Sequence, residues 1–149
     1  MKLSTKGRYG VKAMFDLALH HGNLPISLKS IAERQEISEP YLEQLISSLR
    51  KANLVKSVRG AQGGYILNYE PQSIRIGDII RVLEGSLAPT DCVLEEDPVE
   101  CVKANGCVTK LVWTKIRDSI NQVIDSITLQ DMLEDYKKIH QDDEYMFYI

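Results

Sequence analysis

Cys92, Cys101 and Cys107 are the only cysteines in the 149-residue chain, and they follow the pattern Cys-x8-Cys-x5-Cys. Thiolates are soft ligands suited to zinc and to iron–sulphur clusters, and three of them leave a coordination place for a further group. A disulfide fits poorly, because cytoplasmic thiols stay reduced and an odd count leaves one unpaired. Buried structural cysteines belong in periodic apolar segments. These three lie in residues 86–107, a stretch with two prolines, the acidic run Glu95, Glu96, Asp97, and no helical or strand period. The residues alone leave a cluster, zinc, direct thiol redox sensing and no role at all as open readings.

The segments on either side must hold that loop. Residues 6–21 carry Tyr9, Ala13, Leu17 and His20 near one line, with Met14 and Ala18 beside it, which predicts an amphipathic helix. Gly22 to Pro25 end it. Ser27 is placed to cap a short helix over 28–35, and Ser38 to cap a third over 38–53 with Pro40 in its first turn. Two short helices joined by a tight turn make a helix-turn-helix. The β-prone runs 54–58 and 65–69 flank Arg59-Gly60-Ala61-Gln62-Gly63-Gly64, which predicts a hairpin wing. Residues 75–84 predict a fourth helix, closed by Gly85. Val108, Val112, Ile116, Ile120, Val123, Ile124 and Ile127 then recur at spacings of three and four, a long amphipathic helix over 108–127. Thr128, with Asp131 three residues on, is placed to cap one more short helix. An acidic and then aromatic tail, 141–149, ends in Tyr-Met-Phe-Tyr-Ile.

Charge divides the chain. Residues 1–69 hold 10 Lys/Arg against 5 Asp/Glu, a net of +5, and residues 70–149 hold 8 against 16, a net of −8. The basic part can neutralise phosphates and the acidic part cannot. The predicted third helix carries Ser38, Tyr41, Glu43, Gln44, Ser47 and Arg50 on its polar side. Gln pairs bidentately with adenine and Glu accepts from cytosine N4. Arg59 at the wing tip suits a minor groove or a phosphate. Lys6, Arg8 and Tyr9 open the first helix, whose free N–H groups can hold a phosphate as well. Double-stranded DNA is the partner these features imply.

Other function classes find little support. There is no glycine-rich phosphate loop or paired catalytic motif, and His20, His21 and His140 have no obvious nucleophile beside them, so no enzyme is expected. No stretch approaches the roughly 18 uninterrupted apolar residues of a membrane span. The opening Met-Lys-Leu-Ser-Thr-Lys lacks the apolar core of a secretion signal, so a cytoplasmic protein is expected.

Three strings carry a family resemblance: KGRYG at 6–10, SEPYLEQLISSLRKANLVKSVRGAQGGY at 38–65 and IGDIIRVLEG at 76–85. Together they resemble the bacterial winged-helix transcription regulators that include IscR, NsrR and CymR. The resemblance implies a mainly α fold: a winged helix-turn-helix domain over 1–85, a cysteine-containing cluster loop over 86–107, and a dimerisation helix, short helix and tail over 108–149. It implies a homodimer, mostly repressing, on near-palindromic operators that serve iron–sulphur cluster biogenesis or related metabolism. Tyr41, Glu43, Gln44 and Arg59 would contact DNA, with Glu43 setting selectivity. Val112, Ile116, Ile120, Val123, Ile124 and Ile127 would form the dimer interface.

The resemblance also makes Cys92, Cys101 and Cys107 ligands of an iron–sulphur cluster, 2Fe–2S favoured over 4Fe–4S. IscR-like proteins place a histidine three residues after the third cysteine, where this chain has Lys110. NsrR-like proteins recruit an acid from the partner's first helix, where this chain has Arg8. The fourth ligand is then sought among Asp91, Glu95, Glu96, Asp97, Glu100, a partner-chain group or a small exogenous ligand. The tail resembles that of CymR-like regulators of cysteine metabolism, which bind a cysteine synthase. That alternative makes the synthase a second partner and the cysteines incidental.

Overall fold

The computed structural model describes the backbone of residues 2–147 except Asn23, and side chains up to residue 143. The expectation placed on the Tyr-Met-Phe-Tyr-Ile tail therefore falls outside the described side chains, and for Tyr148 and Ile149 outside the described residues altogether.

The chain order is α1 (Thr5–Leu19), α2 (Leu28–Gln35), α3 (Glu39–Lys51), β1 (Val55–Val58), β2 (Gly64–Leu67), α4 (Ile76–Glu84), α5 (Val108–Ser126) and α6 (Leu129–Phe147). Single 3-10 turns stand at Pro71–Ser73 and Asp91–Val93. This is the expected mainly α winged helix-turn-helix. Ser27 caps α2 by accepting from the Ser30 N–H at 3.2 Å. Ser38 stands at the N-cap of α3 without a side-chain hydrogen bond, and Pro40 occupies the first turn. The wing pairs antiparallel, Val55 opposite Leu67 and Val58 opposite Gly64. Ile26 and Tyr65 exchange backbone hydrogen bonds of 2.9 and 2.8 Å, which fasten the wing to the start of the helix-turn-helix.

Met14, Leu17, Ile31, Leu42, Ile46, Leu49, Val55, Ile74 and Ile79 form the core, each at most 2% exposed. Burial of such a side chain stabilises by about 1.5–3 kcal/mol. The KGRYG motif has a packing reason. A Cβ on Gly10 would lie 1.9 Å from Leu83 Cδ1, so α1 and α4 approach this closely only because residue 10 has no side chain.

The elements after the loop depart from expectation. The C-terminal helix is not short: α6 runs 19 residues and takes in much of the segment expected as tail. The reciprocal hydrogen bonds between Thr128 and Asp131, 2.9 and 3.2 Å, start it as expected. It then returns to the DNA-binding lobe, burying Leu129 completely in the core and packing Met132 and Leu133 against it. Its Tyr136 ring lies 5.5 Å from Phe15 on α1. The elbow between α5 and α6 is stitched to the lobe by backbone bonds, Ile76 N–H to Ile127 C=O at 2.8 Å and Leu129 N–H to Ile74 C=O at 3.0 Å.

Asp16 is 1% exposed on the inner face of α1. Arg34 donates to it from Nε at 3.0 Å and from Nη2 at 2.7 Å, and Gln35 Nε2 adds a third bond at 3.0 Å. Burial pushes this carboxyl up. The Arg34 and Gln35 hydrogen bonds and the guanidinium charge outweigh it and hold the carboxyl below its ordinary 3.8. Removing Arg34 strands a buried charge. Arg34→Ala is expected to cost about 3 kcal/mol in urea unfolding at neutral pH and fixed protein concentration. Arg75→Ala, which breaks the more exposed pair with Asp78, should cost under about 1 kcal/mol. The Asp16 contribution is present above the unfolded value near 3.8 and is lost as pH falls through the lower folded value, so the Arg34→Ala deficit should shrink there. Equal costs for the two variants at neutral pH would refute the buried-pair account.

Candidate DNA interface and cysteine loop

The face opposite the core of α3 carries the residues picked for base contact. Leu42, Leu45, Ile46 and Leu49 are buried, while Ser38, Glu43, Gln44 and Arg50 are exposed and Ser47 is half-buried. Tyr41 is half-buried because its ring meets Tyr9 of α1 edge-on, centroids 6.1 Å apart at 84°. Lys12 Nζ stands 5.4 Å from the Tyr9 ring. The two tyrosines thus fix α3 against α1 as well as facing outward. Lys6 and Tyr41 line one open cleft of ≈ 480 Å³. Lys6 and Arg8 are exposed, and so is Arg59, directly after β1 at the wing tip.

The start of α1 needs a correction. Its end amides are not all free for a phosphate: Glu84 of α4 accepts from the Ser4 and Gly7 N–H groups at 2.9 and 3.0 Å, and from the Ser4 hydroxyl. A carboxylate fills the place expected for a phosphate, as the positive end of a helix favours. Any phosphate contact there falls to the side chains of Lys6 and Arg8.

The cysteine loop springs from a fixed root. Val93 is 2% exposed, and its carbonyl accepts from Arg117 Nη1 of α5 at 3.1 Å. Cys92, just before it, is half-buried with Sγ 3.2 Å from the Thr90 hydroxyl oxygen. Cys101 is exposed. Cys92 and Cys101 line one cavity of ≈ 340 Å³ together with Glu100 and Lys110. Cys107 is the N-cap of α5. The Thr109 hydroxyl, 3.2 Å from its sulphur, and then the Lys110 backbone N–H favour its thiolate and pull the thiol below its ordinary value.

Among the described residues no group of three His, Cys, Asp or Glu side chains converges closely enough to hold a metal ion. The donor types nevertheless suit an iron–sulphur cluster: three thiols along one segment, two of them sharing a cavity. Ligation by all three requires the loop to bring Cys107 to the cavity shared by Cys92 and Cys101. Of the acids considered for the fourth place, Glu100 alone lines that cavity. Glu95 is engaged elsewhere, accepting from Ser86 and from Asn121 Nδ2 at 2.8 Å.

Along α5 no residue is buried. Val108 and Leu111 are 73% and 62% exposed, Val112 45% and Val123 57%. Ile116, Ile120 and Ile124 are half-buried, and Ile124 packs on the lobe's core. Ile127 lies one residue beyond the helix, in the elbow, and is partly exposed. The helix is held to α4 by an ion pair that periodicity does not reveal. Arg81 donates from both terminal nitrogens to Asp125, each at 2.8 Å, and from Nη2 to Asn121 Oδ1 at 3.2 Å. A Cβ on Gly77 would lie 2.1 Å from Asp125 Oδ1, so glycine admits the pair. The one signal available for Asp16 was a lone acid within the apolar run MFDLAL. For Arg81 and Asp125 there was none.

Comparison with known proteins agrees with this geometry. Residues 3–135 match the Rrf2 family model, described as an iron-dependent transcriptional regulator. The chain is 51% identical over its full length, and that of the relative, to the HTH-type transcriptional regulator CymR of Bacillus subtilis. It is 44% identical over 135 residues, 91% of this chain and 79% of the relative, to the HTH-type transcriptional regulator IscR of Vibrio campbellii. Among solved structures, T. potens IscR superposes with a TM-score of 0.76 at 61% identity, covering 93% of this chain and 90% of that one. The structure of CymR, the global cysteine regulator of B. subtilis, gives 0.75 at 51% identity, covering 89% and 95%. No described helix is long and apolar enough to cross a membrane. The helix-turn-helix, the wing and these relatives together place the chain in the Rrf2 family: it is a DNA-binding winged-helix transcriptional regulator and not an enzyme.

Proposed function

We propose that the protein acts in the cytoplasm as a homodimer that grips near-palindromic duplex DNA, mostly as a repressor, and that an iron–sulphur cluster on Cys92, Cys101 and Cys107 sets its affinity. One observation carries this reading. The only three cysteines lie in, or close, the segment that joins α4 of the DNA-binding lobe to α5. A change in that segment acts on the connection between reading head and dimer. The family description and the T. potens relative support it further.

Cys92, Cys101 and Cys107 would hold the cluster, with Glu100 the chain's nearest acid for the fourth place and the 2Fe–2S form favoured. Such a group, when bound, supplies a centre lost on oxidation or iron shortage. The chain's own residues do the rest. Leu111, Val112, Ile116, Ile120, Val123, Ile124 and Ile127 offer an apolar face, only partly covered, to a second copy. Beside it runs a groove of ≈ 440 Å³ lined by Ile80, Leu87, Pro89, Ile120 and Ile124. Gln44 and Glu43 read base edges, and Lys6, Arg8, Arg50 and Arg59 meet phosphates or the minor groove. Two heads on one dimer read half-sites about a helical turn apart, so small changes in their spacing alter affinity.

A second reading rests on the full-length match to B. subtilis CymR. In it the C-terminal tail engages a cysteine synthase and the cysteines are incidental. Deleting Tyr148 and Ile149 and measuring synthase binding separates the two.

Anaerobic purification of wild type is expected to give a coloured protein with stoichiometric iron and sulphide. Replacing Cys92, Cys101 and Cys107 together by alanine should abolish both and change operator affinity about 5–150-fold. Colourless wild type, or a variant with unaltered DNA binding, would reject cluster control. On the DNA face, Arg59→Ala should weaken binding to all sequences alike and lower the salt slope by about 1. Glu43→Ala should instead relax discrimination at its base pair by about 1–3 kcal/mol. A uniform loss for both variants across sequences would remove Glu43 from base reading.

A further inference from the structure

We propose that Glu95 is a positioning residue that conveys the state of the cysteine loop to the DNA-binding lobe, an inference that rests on the cluster-sensing reading above. Glu95 lies three residues after Cys92, at the loop's fixed root. Its carboxylate accepts from the Ser86 hydroxyl, just beyond α4, and from Asn121 Nδ2 of α5 at 2.8 Å. Asn121 turns its other amide atom, Oδ1, to Arg81 Nη2 of α4 at 3.2 Å. Arg81 in turn holds Asp125 of α5 with two bonds of 2.8 Å. A side-chain relay thus runs from the loop to α5, into α4 and back to α5.

Asn121 is the amide that makes the relay directional. It donates to Glu95 and accepts from Arg81, so losing one bond frees the amide to turn and weakens the other. Among the described residues, the side chains of Asp91, Glu96, Asp97 and Glu100 make no such hydrogen bond to α4 or α5. Val93 is anchored beside Glu95 by burial and by Arg117, whereas residues 96–103 are exposed. Drawing Cys92 toward Cys101 and Cys107 therefore pulls on a root that Val93 and Glu95 tie to the dimer helix. At the far end, Arg81 sits on a helix packed against α1 through Gly10 and Leu83. The relay assigns Glu95 to transmission and removes it from the candidate ligands.

The test uses the full chain, loaded anaerobically or stripped by chelation, and a DNA fragment that wild type selects from a random duplex pool. The readouts are the ratio of loaded to stripped dissociation constants, together with iron, sulphide and visible absorption. Glu95→Ala and Asn121→Ala are expected to bring the ratio at least about fivefold closer to one, with iron, sulphide and absorption at wild-type levels. The double variant should do no more than either single one, because both break the same relay. Glu95→Gln keeps an oxygen to accept from Asn121 and should retain the wild-type ratio. A Glu95→Ala protein with the wild-type ratio overturns the relay. So does one that loses its iron, which would make Glu95 a ligand. A wild-type ratio of one overturns the cluster-sensing reading itself, and the relay falls with it.

Discussion

Arg81 reaches across the bare face of Gly77 to hold Asp125 with two parallel hydrogen bonds of 2.8 Å, and this contact fixes α5 on the DNA-binding lobe. A planar guanidinium meeting a carboxylate in this way restricts rotation as well as distance. The elbow bonds of Ile76 and Leu129, and the buried Leu129 side chain, hold the chain directly after Asp125, at the same C-terminal end of the helix. With both contacts made, α5 is an extension of the lobe. In the proposed homodimer, the packing of two α5 helices would then set the separation of the two recognition helices.

This attachment of α5 bears on the proposed control by the cysteine loop. A loose hinge between lobe and dimer helix would absorb any change in the loop. Here the loop's root is itself bonded to α5 through Arg117 and Asn121, and α5 is bonded to α4. Residues 96–103 of the loop are exposed, while its base is bonded to the helix that Arg81 holds on α4. The reading head is braced in turn by the Tyr9–Tyr41 contact and by the Asp16–Arg34 pair, which hold α3 and α2 against α1.

Much of this was legible from residue order because local signals and tertiary packing agree. Ser27, Pro40, the glycines of the wing and the Thr128–Asp131 pair each mark a boundary that the structure keeps. The reading failed where long-range contacts decide. Nothing near Glu84 in sequence says that it caps α1, 77 residues earlier, so the helix end looked free for phosphate. The helix after Thr128 was expected to be short with a tail over 141–149, yet α6 continues to Phe147, and its Leu129, Met132, Leu133 and Tyr136 form a seam that docks on α1 and the Pro71–Ser73 turn. The three cysteines were read as one loop, and the structure sets Cys107 at its end, as the N-cap of α5. Their side chains do not converge in the described structure, because spacing fixes membership of a loop and not its closure.

The most direct test of the central claim is a spacing measurement on DNA. Wild type selects a palindromic fragment from a random pool, and its affinity is compared with that for the same fragment lengthened by one base pair between half-sites. Arg81→Ala is then measured on both. If the Arg81–Asp125 contact makes α5 part of the lobe, wild type discriminates between the two fragments, and Arg81→Ala loses most of that discrimination while binding random DNA about as well as wild type. An Arg81→Ala protein that discriminates as sharply as wild type would contradict the claim that this contact sets the spacing of the two heads.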